Sequence, residues 1–234
     1  MGKKWLTWFL GGLWLLLVLL AIAWRFGFAN GTIASVPTVT VPPPPTPTAN
    51  ELLTEAALTN YDGLADAPVK LVVFSDFDCT FCKVWQIRGL RTTLKAEFGD
   101  QLAIVFRHYP IKSEDSVMVA EASQCAADQG KFWQFHDAWF EQHEPGEITE
   151  EEIVGIAAAI ELDMTVWQTC RDSGQFAAYV QQDLQLAQTT GYPEPPVFFV
   201  NGERVIFKIA AQIDAVRQAL LFACPAGQTC TSSD

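Results

Sequence analysis

Leu71-Val-Val-Phe-Ser-Asp-Phe-Asp-Cys-Thr-Phe-Cys-Lys83 is the stretch on which the fold of this 234-residue chain turns. Its apolar run, Leu71 to Phe74, reads as a buried strand. A short polar turn follows, and Cys79 and Cys82 stand where a helical pattern begins. At a helix N-terminus the unbonded N–H groups and the positive end of the dipole favour thiolate over thiol. The first cysteine thereby gains a lowered pKa and serves as the attacking or leaving sulfur of disulfide exchange. Cys82, one turn further in, is placed to close or open the ring. Zinc is the competing use of such a pair, but it needs a second Cys or His pair at ligand spacing. Cys224 and Cys230 lie at the far end of the chain, and His108, His136 and His143 are not spaced as zinc ligands. Redox chemistry is the favoured reading, and no metal is expected.

Charge is unevenly placed. Lys3, Lys4 and Arg25 flank the first apolar stretch, and no acid precedes Glu51. With those three set aside, 12 basic residues face 27 acids, a net charge of about −15. A domain this acidic is a poor partner for nucleic acid, whose backbone demands a basic surface. Six cysteines, an even number, suit an oxidising compartment if the chain is exported.

Export is what the N-terminus predicts. Trp5 to Trp24 contains no charge and as a helix spans about 30 Å, the thickness of a bilayer core. Trp5, Trp8 and Trp24 lie near its ends, and the lysines before it place residues 1–4 in the cytoplasm. Residues 5–24 are therefore read as an uncleaved transmembrane anchor. The alternative is a signal peptide cut near Ala21-Ile-Ala23, which exports the domain equally. Residues 25–50 form a linker, and Val41-Pro-Pro-Pro-Pro-Thr-Pro-Thr48 favours extended polyproline II, a semi-rigid spacer.

The folded part is expected over residues 51–223, starting with a short helix at 51–58 and a strand at Val69–Phe74. Beyond the cysteines, Phe81, Val84, Ile87, Leu90, Leu94 and Phe98 recur every three or four residues, predicting one amphipathic helix ending at Gly99. Gln101–Phe106 supplies a second strand, parallel to the first, and leads into Arg107-His-Tyr-Pro110. His108 is weighed as a proton shuttle and read instead as a hydrogen-bonded histidine at a strand end. Residues 113–190 carry only helical patterns, broken at Gln129-Gly130, Pro145-Gly146, Leu162-Asp163 and Ser173-Gly174. They read as an inserted block of four or five helices, with Trp133, Phe135, Trp139 and Phe140 in its core. Cys125 and Cys170 fall on separate helices of it. A disulfide between them would contribute about 4 kcal/mol in the chain-entropy model. Strands return at Pro196–Val200 and Glu203–Phe207 around Asn201-Gly202, a type I′ hairpin signal. A closing helix bears Ile209, Ile213, Val216 and Leu220. The tail, residues 224–234, is expected to hold a small loop disulfide between Cys224 and Cys230.

Assembled in order, the chain resembles the DsbA-like branch of the thioredoxin superfamily, an α/β fold with a helical insertion. The resemblance is carried by Phe74-Ser-Asp-Phe-Asp-Cys-Thr-Phe-Cys82, Phe106-Arg-His-Tyr-Pro110, Cys125-Ala-Ala-Asp-Gln-Gly-Lys-Phe-Trp133 with His136-Asp137, and Pro196-Val-Phe-Phe-Val-Asn-Gly202. It implies Cys79 as nucleophile, Cys82 as resolving thiol, and Pro196 as the cis-proline that packs against the active-site disulfide. A cis bond is physically accessible at a proline. Two departures stand out. Pro195 occupies the position before the cis-proline, where relatives usually carry Thr or Val, and should stiffen the groove. Thr80-Phe81 between the cysteines lacks the imidazole of the strongly oxidising bacterial enzyme. Asp76 and Asp78 further disfavour a thiolate by like charge.

The expected function is that of a membrane-anchored, extracytoplasmic thiol–disulfide oxidoreductase that oxidises the thiols of exported proteins. The family implies reoxidation by a membrane partner of the DsbB or vitamin-K-epoxide-reductase type, and no organic cofactor. A monomer is expected. Two alternatives remain open: a reductase or isomerase of the same fold fed by a membrane electron donor, and a non-catalytic tethered module that binds protein or metal.

Overall fold

The computed structural model describes residues 60–205, 212–225 and 230. The anchor, the proline-rich linker and the helix expected at 51–58 lie outside them. No helix among the described residues is long and apolar enough to cross a membrane.

Five strands form one sheet: β1 (Tyr61–Asp62), β2 (Val69–Ser75), β3 (Leu102–His108), β4 (Val197–Val200) and β5 (Glu203–Val205), in the order β1-β3-β2-β4-β5. β2 and β3 are parallel, with Leu71 opposite Ile104 and Phe74 opposite Arg107; the other pairings are antiparallel. Alternation along β2 divides the core. Val69, Leu71 and Val73 face one cluster with Trp85, Leu94, Phe98 and Leu220, whereas Val72 and Phe74 face the other with Val197 and Phe199. β1, an antiparallel edge strand of two residues, is too short to leave a periodic signal.

The single helix expected between β2 and β3 is two: α1 (Thr80–Ile87) and α2 (Leu90–Phe98). Gly89 separates them at φ +62°, a left-handed conformation that a side chain strongly disfavours. The break changes which face is buried. α1 covers Cys82 and Trp85 and leaves Phe81 and Ile87 exposed, while α2 buries Leu90, Leu94 and Phe98. The periodicity was real on each side of Gly89 but did not run through it.

Between β3 and β4 stand five helices: α3 (Ser116–Ala127), α4 (Phe132–Gln142), α5 (Glu150–Ala159), α6 (Met164–Ser173) and α7 (Ala177–Thr189). Their boundaries fall at the four breaks named above. Phe77, from the turn before α1, stacks on Phe106 and Phe140 and meets Phe135 and Trp139 edge-on, so it joins the sheet to this block. Phe135, Trp139 and Phe140 are buried, whereas Trp133 is only half-buried, under the guanidinium of Arg91. Cys125 of α3 is joined to Cys170 of α6 across 5.8 Å between Cα atoms. Asn201 and Gly202 have φ of +47° and +89°, as a type I′ hairpin requires. α8 (Gln212–Ala223) closes the described fold, and Cys224 is bonded to Cys230.

Candidate active site

β2 ends at Ser75, and the next three residues turn the chain so that Cys79 becomes the N-cap of α1. Its backbone is extended, and its sulfur accepts the N–H of Cys82 at 3.3 Å. That is the orphan-donor chemistry of a helix start, with sulfur where serine or aspartate usually stands. Cys79 and Cys82 are both free thiols and both buried.

Their acidities are driven apart. A hydrogen bond from the Cys82 thiol lowers the Cys79 pKa, and the N–H groups of Cys82 and Phe81 lower it further, against burial and the charge of Asp76. Burial drives the Cys82 pKa well upward, and the neighbouring Cys79 sulfur adds to this. The first sulfur is thus the more acidic of the pair and the second the less acidic.

Asp76 supports the turn. Its carboxylate accepts the N–H groups of Asp78 (2.8 Å), Ile111 (2.7 Å) and Lys112 (2.8 Å), and the hydroxyl of Ser116 (2.8 Å). Burial raises its pKa, and these four donors oppose the rise. Asp78 was expected to act on the thiolate beside Asp76. Its carboxylate accepts the N–H of Gly146 at 2.7 Å and lies 3.3 Å from His143 Nε2, which ties the turn to the segment between α4 and α5.

Pro196 lies across from the cysteines at the start of β4, and the Pro195–Pro196 bond is cis. The Cys79 thiol donates to the carbonyl of Pro195 at 3.4 Å. Tyr109 steadies this loop by donating its hydroxyl to the carbonyl of Tyr192 at 2.8 Å. Cys79, Cys82 and Pro196 are therefore brought into one site, whereas Cys125 and Cys170 lie between helices and Cys224 and Cys230 at the end of the chain.

His108 is buried with its Nε2 2.7 Å from the Gln124 amide nitrogen. Burial, helped by Arg107 and His136, holds its pKa down to about 3. The imidazole is neutral at physiological pH, in keeping with a strand-end structural histidine.

Among the described residues no cluster of three or more His, Cys, Asp or Glu is arranged to hold a metal ion. Two contributors escaped sequence reasoning. The fourfold use of Asp76 and the ion pair between Lys112 and Glu194 (3.1 Å) join residues far apart in the chain, and neither has a local signature.

A family model described as Thioredoxin matches residues 58–220, most of the chain. The chain belongs to that family. The chain is similar to a thioredoxin-like oxidoreductase from Silicibacter pomeroyi DSS-3, at 27% identity and a TM-score of 0.60, over 73% of this chain and 96% of that one. It shares its fold with BdbD from Bacillus subtilis (oxidised), at 24% identity and a TM-score of 0.62, over 70% and 91% of the two chains. The same holds for the thiol-disulfide exchange protein alpha-DsbA2 from Wolbachia pipientis, at 19% identity and a TM-score of 0.61, over 72% and 90%. A Na(+)/H(+) antiporter NhaA from Herminiimonas arsenicoxydans is 32% identical over 172 residues, covering 74% of this chain and 25% of that protein. The chain spans about a quarter of the length of the curated relatives it matches.

Proposed function

We propose that this protein is a dithiol oxidase, held at the membrane by its N-terminal segment and facing the extracytoplasmic space. The observation that carries the reading is the asymmetry of the cysteine pair. A Cys79 thiolate held by its own helix start stabilises the reduced form, and a stabilised reduced form makes the disulfide a better oxidant.

The steps follow from that asymmetry. A client thiolate attacks Sγ of Cys79 in the Cys79–Cys82 disulfide. The S–S bond breaks, and its electron pair leaves on Cys82 Sγ, which takes up a proton because burial favours the thiol. A second client thiolate then attacks the client sulfur of the mixed disulfide and releases Cys79 as a thiolate, a good leaving group by virtue of its lowered pKa. The client loses two electrons and gains a disulfide; the Cys79–Cys82 pair takes up those electrons. Pro196 is assigned the docking edge beside the sulfur. A membrane partner of the DsbB or vitamin-K-epoxide-reductase type would take the electrons onward. The bonded pairs Cys125–Cys170 and Cys224–Cys230 support an oxidising compartment.

One observation favours the reductase or isomerase. The charge of Asp76 opposes the Cys79 thiolate, and Thr80-Phe81 supplies no cation. The reduction potential of the whole chain, equilibrated against glutathione, separates these directions. A value of roughly −120 to −180 mV supports the oxidase or isomerase end of the range, and one near about −270 mV makes the protein a reductase. Absence of any reversible couple would leave the tethered binding module.

A further inference from the structure

Two loops flank Cys79, and an ion pair joins them. On one side, Asp76 holds the backbone of Ile111 and Lys112 by two N–H bonds, and the carbonyl of Asp76 accepts the N–H of Cys79 at 3.2 Å. Lys112 is therefore fixed at its root one residue away from the cysteine turn. On the other side, Glu194 immediately precedes Pro195, whose carbonyl accepts the Cys79 thiol. Lys112 Nζ meets Glu194 Oε2 at 3.1 Å. The lysine side chain is 27% exposed and the glutamate 62%, so the pair is partly wet and its charges act through a mixed medium.

We propose that Lys112 supplies positive charge to the Cys79 thiolate, and that Glu194, by holding the same ammonium, limits how much of that charge the sulfur receives. The proposal rests on Cys79 being the thiolate of the pair, and it identifies the cation that Thr80-Phe81 does not provide. Other charges facing the sulfur are accounted for. Asp76 opposes the thiolate, Asp78 is engaged by the N–H of Gly146 at 2.7 Å and lies 3.3 Å from His143 Nε2, and Cys82 remains a thiol that donates to the Cys79 sulfur. Burial pulls the Lys112 pKa down, but Glu194 and the two cysteine sulfurs outweigh it and leave the lysine raised, so it is an ammonium at neutral pH. Both residues are proposed to act on the sulfur through space.

The lysine and glutamate stand in opposition, which gives the test its sign. Thiolate absorbance at 240 nm is followed against pH in the reduced full chain, for wild type, Lys112→Met, Lys112→Arg and Glu194→Gln. Lys112→Met is expected to move the Cys79 midpoint up by about half a pH unit or more, the scale of one nearby charge in a partly hydrated setting. Glu194→Gln is expected to move it down, and Lys112→Arg to keep it near wild type. A merely structural role for the pair would not produce opposite shifts in variants whose circular dichroism matches wild type. Midpoints unchanged in both charge-removing variants, or moved the same way, would overturn the proposal. Absence of any low-pH thiolate step in the wild type would instead overturn the assignment of Cys79 on which it rests.

Discussion

Cys79 and Cys82 are covered as completely as Cys125 and Cys170, with exposures of 0% and 1% against 2% and 8%, yet the two pairs differ in chemistry. The first pair are thiols three residues apart, at the start of α1, where backbone donors converge on one sulfur. The second pair are bonded, 45 residues apart, among the apolar side chains of the helical block. Burial alone therefore does not make a cysteine inert or reactive. Donors that can solvate a negative sulfur make the difference, and only the helix start supplies them.

Substitution at the two pairs offers the largest contrast. Cys79→Ser is expected to abolish disulfide exchange in a thiol-oxidation assay while leaving the fold intact. Replacing Cys125 and Cys170 together by serine should do the reverse. Exchange persists, and stability in a denaturant titration of the reoxidised protein falls by about 4 kcal/mol, the loop-closure value for a crosslink of this span. If the second variant lost exchange without losing stability, the division between a reactive and a structural pair would fail.

A smaller effect sharpens the same contrast. In the reduced protein, with the Cys125–Cys170 and Cys224–Cys230 bonds kept, thiolate absorbance should rise in two separated steps. The Cys79 step lies below the ordinary thiol value and the Cys82 step well above it. The sign carries over to stability. A depressed folded-state pKa at Cys79 stabilises the reduced form above the unfolded thiol's pKa, and that contribution is lost as pH falls through the folded value. Cys82 acts oppositely: its raised pKa destabilises the reduced fold once pH exceeds the unfolded thiol's value. A single unresolved step near the ordinary value would remove the asymmetry.

Gly89→Ala marks the lower end of the scale. At φ +62° the new Cβ also comes within 3.1 Å of the Thr92 hydroxyl, so a loss of roughly 1–2 kcal/mol is expected. Exchange should persist, because the break lies beyond the first turn of α1, where the donors are. Chemical denaturation beside an activity assay separates the two quantities.

The features legible in the sequence are those written in adjacent residues. The cysteine turn follows from an apolar strand meeting a helix start, and the hairpin from Asn201-Gly202. Helix boundaries in the 113–190 block follow from glycine, proline and capping residues. What escaped depends on contacts across the chain. The break at Gly89 left no mark on the apolar period, because nothing local says that α1 must turn away to bury Trp85. The bond of Asp78 to Gly146 left no local sign either, because it joins residues 68 apart in the chain. Lys112 and Glu194 were two ordinary surface charges until β3 and β4 brought their loops together.

The hairpin after β4 carries one more consequence. Asn201 accepts the N–H of Lys70 on its side-chain oxygen at 2.8 Å, donates its amide to the carbonyl of Pro68 at 3.1 Å, and donates its own N–H to the Lys70 carbonyl at 2.9 Å. These three bonds peg the far end of β4 to the beginning of β2. A four-residue strand then works as a ruler between the peg and Pro196. A slip of one residue along β2 would displace the Pro195 carbonyl by about 3.3 Å and turn the inward side chains of β4 outward. The alignment of proline with sulfur is thus measured out from the other end of β4, by an asparagine at the hairpin turn.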